Sequence, residues 1–171
     1  MPQKMINREF FKLAASITGE GDFKRLRTYR HHIRGTVYRH SLKVAYLCYK
    51  HREFFGTKID AGELVRGALL HDYYLYDRRD KASPRFHWLM HPRYALKNAL
   101  MKYPSLTKNE QDMILRHMFP LTLTPPLTRA GWIICFYDKA AAISDLFEKA
   151  TRRKNAGQKK RTYINEASKQ R

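Results

Sequence analysis

The sequence predicts an all-α domain of about six or seven helices followed by a basic tail. Three observations predict it. Apolar residues recur at helical spacing through most of residues 1–150, strand-like alternation is lacking, and two Asp/Thr-x-x-Glu patterns stand where helices would open. At 171 residues, 43% of them hydrophobic and 13% aromatic, the chain suffices for one domain with a real core and is short for two.

Residues 6–18 read as a first amphipathic helix, with Phe10, Leu13 and Ala14 on one face and Gly19 and Gly21 ending it. Residues 22–38 mix Arg, His and Tyr without a clean period and read as a loop or a short helical turn. Residues 39–54 read as a second helix, because His40, Val44, Leu47 and Cys48 recur at i, i+4, i+7 and i+8. That spacing puts His40 on the buried stripe. Asp60 and Glu63 make a capping-box pattern that opens a third helix over residues 61–75. Residues 76–90 read as a loop, with Ser83-Pro84 as the breaker.

His91-Pro92 starts a further helix, since Pro is tolerated in a first turn, and Ala95, Leu96, Ala99 and Leu100 supply its apolar face. Thr107 and Glu110 repeat the capping pattern before QDMILRHMF, which Pro120 closes. Residues 121–128 form a turn-rich connection, and Thr128 caps a last long helix over 129–150. From residue 151 the composition turns polar and basic and reads as a flexible tail. The expected organisation is one helical domain over 1–150 and a tail over 151–171.

Lys and Arg total 34 against 15 Asp and Glu, a formal charge of +19 at pH 7. Such a field attracts polyanions and speeds their encounter without specifying a fold. No run is long and apolar enough to span a bilayer, and the first residues lack the apolar stretch of a signal peptide, so cytoplasm is the expected location. Cys48 and Cys135 lie in apolar helical stretches without CxxC spacing and read as reduced core thiols.

The chemistry-bearing residues are dispersed. His40, the pair His71-Asp72, His91, His117 and Asp138 each fall in or at the edge of an apolar helical segment. A chargeable side chain is costly there unless something pairs with it. Imidazoles and carboxylates converging from several helices suit a divalent transition metal. Each residue also has a plainer reading: a hydrogen-bonded core His for His40, salt bridging for Asp72 and Asp138, a helix cap for His91. Neighbouring helix positions point about 100° apart, so His71 and Asp72 reach one centre only near a helix end or where other helices close around them. His31, His32 and His51 lie in polar, basic surroundings without such a pattern, and a shared helical face for His87 and His91 is not assured.

The order His…His-Asp…His…His…Asp resembles the HD-domain superfamily of metal-dependent phosphohydrolases, in particular its small stand-alone bacterial members. The likeness covers roughly residues 36–146, through YRHSLKVAYLC, GALLHDYYLYD, WLMHPRYALKNAL, MILRHMFP and FYDKAAAISD. It implies an HD-domain-like helical bundle in which His40, His71, Asp72 and Asp138 hold one metal. His91 and His117 would hold a second, with Asp72 bridging. His71 and Asp72 become the catalytic pair, and Fe, Mn, Co, Ni or Zn the expected ions, two of them in such members. Many members follow His-Asp with a small residue, Gly and Lys; here Tyr73, Tyr74 and Leu75 follow, so that Lys contact does not transfer. Phosphate contacts then fall to Arg78, Arg79, Arg93, Arg116 or Lys139, with Arg offering two-pronged recognition and Lys a point charge.

The expected function is therefore metal-dependent hydrolysis of a phosphate ester or anhydride, with a nucleotide or similar small anion as substrate. The alternative is a basic nucleic-acid-binding helical module with a vestigial metal site, its tail neutralising phosphates. A purely structural helical protein is the third class. The sequence leaves the substrate, the metal and the oligomeric state open.

Overall fold

The computed structural model describes residues 3–31, 35–81 and 83–147, and among these it is all-helical, with seven helices and no strand. The expected tail over 151–171, the last three residues of the expected final helix and His32 lie outside the described residues. No described helix is long and apolar enough to cross a membrane.

Helix α1 spans Gln3–Thr18 and buries Phe10, Ala14 and Ile17. The region expected to be a loop or a short helical turn opens with a short helix, α2, at Gly21–Arg25, anchored by the fully buried Phe23. Helix α3, Val37–Phe55, starts two residues earlier than its apolar period suggests, because the Thr36 side chain accepts from the Arg39 backbone N–H and so caps it. It ends at Gly56, whose φ of 59° is the left-handed conformation that glycine adopts without a Cβ penalty.

Helix α4, Ala61–Leu70, is the centre of the bundle and packs against α1, α3, α5 and α6. Asp60 caps it through the Glu63 N–H. The expected return contact from Glu63 does not form, since that carboxylate accepts from Thr107 and Asn109 instead. The helix also stops at Leu70 rather than running to residue 75, which leaves His71 at its C-terminal cap.

Helix α5 is His87–Lys102, so the helix opens four residues before the expected start at His91. Ser83-Pro84 breaks the chain as expected, but the helix resumes immediately after Phe86, and Pro92 lies inside it. Helix α6, Lys108–Arg116, opens on the complete Thr107/Glu110 capping box and ends with His117 as its cap. Glu110 is fully buried because its carboxylate accepts from the Thr107 N–H at 2.7 Å and from two nitrogens of Arg66 on α4.

Helix α7 covers 129–147. Its start is held by Asp112 of α6, whose carboxylate accepts from the backbone N–H groups of Leu127 and Thr128 and from the Thr128 hydroxyl. Ala130, Ile134 and Ala141 join the common core, and both cysteines are buried free thiols, as expected from their spacing.

Candidate metal centre

Five helices deliver the site, two of them from their C-terminal ends. His40 comes from α3, the His71-Asp72 pair from the end of α4, His91 from α5, His117 from the end of α6 and Asp138 from α7. The first five are at most 5% exposed, and the Asp138 side chain is 14% exposed. His71 and Asp72 reach one centre because the helix ends at Leu70 and frees the pair from helical spacing.

The imidazoles are oriented from their own helices. The Nδ1 atoms of His71, His117 and His91 face the carbonyls of Ala68 at 2.8 Å, Ile114 at 2.9 Å and His87 at 3.0 Å. A carbonyl only accepts, so Nδ1 carries a hydrogen, and each ring, when neutral, presents its lone pair at Nε2. Those Nε2 atoms point inward. His71 Nε2 is buried with no hydrogen-bond partner. The Nε2 atoms of His91 and His117 face each other at 3.0 Å.

Asp72 lies between these groups. Its Oδ1 is 3.3 Å from His91 Nε2 and 3.8 Å from His117 Nε2, while Oδ2 is 3.6 Å from His71 Nε2. Asp138 Oδ1 is 2.9 Å from His40 Nε2 and 3.7 Å from His71 Nε2. Most of these separations exceed a hydrogen bond. Donors sharing one ion at bond lengths of about 2.0–2.2 Å stand about 2.8–3.6 Å apart, which matches much of this set. The donor atoms of His40, His71 and Asp72, and those of Asp72, His91 and His117, each lie within 4.8 Å of one another, so these buried clusters could hold a metal ion. Asp72 belongs to both.

Electrostatics follow from burial and mutual charge. Burial opposes ionisation of Asp72 and Asp138, yet the surrounding histidines hold both carboxyls well below the usual carboxylate range. Burial likewise disfavours a charged His71, but Asp72 and Asp138 win and raise it to about 9. For His117 burial dominates, reinforced by His71 and His91, and lowers it to about 3; His91 is lowered by burial as well. His71 is thus favoured to hold a proton, whereas His91 and His117 are held toward the neutral form.

A cavity of about 320 Å³ opens onto this cluster. Asp72, His91, His117, Asp138 and Lys139 line its polar side, and Trp88, Met118, Leu121 and Ala142 its apolar side. Lys139 donates to the His117 carbonyl at 2.6 Å. Of the expected phosphate-binding residues, Lys139 alone is among the lining groups. Arg93 is exposed on α5, and Arg78 is half-buried beyond the His-Asp pair. Arg79 pairs with Asp77 in the exposed loop. Arg116 is committed to Asp112 at 3.2 Å and to the Pro125 carbonyl at 3.0 Å, because it braces the start of α7.

Two histidines lie closer to the site than their sequence surroundings suggested. His87 is 8% exposed, stacks on His91 at 5.0 Å and meets the Tyr76 hydroxyl at 2.8 Å, since α5 includes both residues. His31 is 8% exposed, lines the cavity and stacks on His40 at 3.7 Å. It sits in a loop, where helical periodicity carries no information about burial. His51 meets the Tyr137 hydroxyl at 3.2 Å in the α3–α7 packing, away from the cluster. A further trio, His31, His40 and Asp145, has its donor atoms within 4.8 Å, but Asp145 is already met by Lys43 at 2.6 Å.

No family model, curated protein or solved structure matches the chain.

Proposed function

We propose that this protein is a metal-dependent phosphohydrolase of the HD type, acting on a phosphate ester or anhydride of a nucleotide or similar small anion. The observation that carries the reading is the placement of Asp72 between inward-facing imidazoles at the floor of a cavity that Lys139 also lines. His40, His71, Asp72 and Asp138 would hold one divalent transition ion, and His91, His117 and Asp72 a second. When bound, Fe, Mn, Co, Ni or Zn supplies Lewis acidity, polarising a phosphoryl oxygen and easing deprotonation of water. A shell of imidazole and carboxylate suits these ions better than Ca or Mg.

The chain's own residues do the rest. The backbone carbonyls of Ala68, His87 and Ile114 hold three imidazoles in one tautomer and orientation, the indirect support that metal-binding histidines depend on. Lys139 places a positive charge beside the cluster, where it attracts and orients a phosphate. Trp88, Met118 and Leu121 offer an apolar wall to the organic part of the substrate and limit the water around the reacting group.

Metal analysis of purified protein, followed by turnover of nucleotides, dinucleoside polyphosphates and an aryl phosphate with each metal supplied, tests the reading. Asp72→Ala should abolish turnover while leaving the helical circular dichroism intact. If wild-type protein shows nothing above Asp72→Ala on every substrate, the enzyme reading gives way to the second one. That second reading, a nucleic-acid-binding module, is favoured by the +19 charge. Truncation after Ala150 removes eight Lys/Arg and one Glu and would then reduce the salt dependence of nucleic-acid binding.

A further inference from the structure

We propose that Trp88 selects for a nucleobase: its indole stacks on the base of a nucleotide whose phosphate lies at the histidine–aspartate cluster. This rests on the phosphohydrolase reading above. Helical spacing gives the cavity two levels. Trp88 stands three residues before His91 on α5, and Ala142 four residues after Asp138 on α7. All four line the cavity, so each apolar residue shares a helix face with a candidate ligand one turn away. Along both helices the apolar wall is thus offset from the polar floor by about 5.4 Å, one helical turn. A pentose sets its base about as far from a 5′-phosphate.

The indole has surface to give. Trp88 is 46% exposed although it lines the cavity, so the core leaves much of its ring uncovered. The turn that carries it is anchored by the preceding residue. His87 is buried, meets the Tyr76 hydroxyl at 2.8 Å and stacks on His91 at 5.0 Å. An anchored ring loses less freedom when a ligand stacks on it, which favours binding.

What surrounds the indole argues for recognition of a base by its face. Met118 and Leu121 add apolar contact, and among the described lining residues none is Asn, Gln, Ser or Thr. The edge of a base therefore finds no neutral amide or hydroxyl side chain there, whereas its flat face finds an indole. Stacking of this kind accepts any base, because each has a π surface. A sugar phosphate that lacks a base would instead leave the indole and its apolar neighbours facing water.

Binding of phosphonates tests this without relying on turnover, because a phosphohydrolase cannot cleave their P–C bond. Full-length protein supplied with manganese should bind the 5′-phosphonate analogue of adenosine monophosphate roughly 10-fold tighter than the matching ribose 5-phosphonate, within the range for one base on one aromatic face. The chain has two tryptophans, and Trp132 is not among the residues lining the cavity. In a Trp132→Phe protein the adenosine analogue should therefore quench the remaining indole emission, and the ribose analogue should not. By titration calorimetry, Trp88→Leu, which keeps an apolar side chain but no ring, should lose the 10-fold preference, and Trp88→Phe should keep most of it. Circular dichroism and thermal melting check that both variants remain folded. A Trp88→Leu protein that keeps the preference overturns the proposal. So does a hexylphosphonate that binds wild type as tightly as the adenosine analogue, since the wall would then select apolar bulk. Equal binding of the adenosine and ribose phosphonates overturns this proposal alone and leaves the phosphohydrolase reading standing. Protein that binds none of the three phosphonates, whether or not it takes up manganese, fails that reading and the proposal together.

Discussion

Gly131→Ala sets two physical effects against each other, and the structure decides the sign. Gly131 lies in the first turn of α7, where its N–H donates to the Thr128 hydroxyl at 3.0 Å. Helix propensity alone makes alanine there stabilising by about 1 kcal/mol. A Cβ built on Gly131, however, would stand 2.3 Å from Asp112 Oδ2 and 2.9 Å from the Pro126 Cβ. Relief requires a shift of about 1 Å, large for an interior packed to crystal-like density. Asp112 is poorly able to give way, because its carboxylate accepts from the Thr128 N–H at 2.9 Å, the Thr128 hydroxyl at 2.8 Å and the Leu127 N–H at 3.1 Å, and pairs with Arg116. Weakening two hydrogen bonds to a charged acceptor costs about 3 kcal/mol, and the propensity gain returns about 1. The expected net loss is about 2 kcal/mol, read as a lower urea midpoint at unchanged slope. Gly21→Ala is the control, since nothing lies within 4 Å of its added Cβ. Asp138 sits two turns further along α7, so Gly131→Ala should also weaken metal binding. A Gly131→Ala protein as stable as wild type would refute the argument that Asp112 fixes the start of α7.

Glu110→Ala removes the carboxylate that caps α6 and holds Arg66 of α4; Arg66 is one-third exposed and can rehydrate, so the expected loss is about 2–3 kcal/mol by urea unfolding, below the cost for a fully buried pair. Less than about 1 kcal/mol would mean that the pair does not join the two helices. Metal uptake should release about one proton at pH 7: His71 is raised from 6.5 to about 9 and is mostly protonated before an ion arrives, whereas a ligand must be neutral. Affinity should therefore rise with pH through the range up to about 9, and titration calorimetry in buffers of different ionisation enthalpy would count the proton; a count of zero contradicts the assigned state. Lys139→Ala should raise KM for a phosphorylated substrate by roughly 10-fold at unchanged metal content, the scale of one lost charge-assisted contact. An unchanged KM would show that its amine serves only the His117 carbonyl.

Periodicity and capping chemistry, both local, made most of the helices legible in the sequence. They place His40 on a buried stripe with Val44 and Cys48, Asp138 beside Ile134 and Ala141, and a capping box at Thr107 and Glu110, all of which the fold contains. Local pattern reports which side of a helix faces inward, not which inward groups meet. Tertiary structure alone brought Asp72 between two pairs of imidazoles, committed Arg116 to Asp112, and turned Glu63 away from its own cap toward Thr107. It also ended α4 just before His71, so that adjacent residues could reach one centre. His31 was beyond the reach of pattern because a loop has no period. Its burial follows from a bridge between Arg30 and Thr36 and from a ring that α3 presents to stack upon. Composition and spacing determine where a helix forms and which face it buries; the meeting of distant polar groups depends on how those helices pack, because their cost of burial is met only by one another.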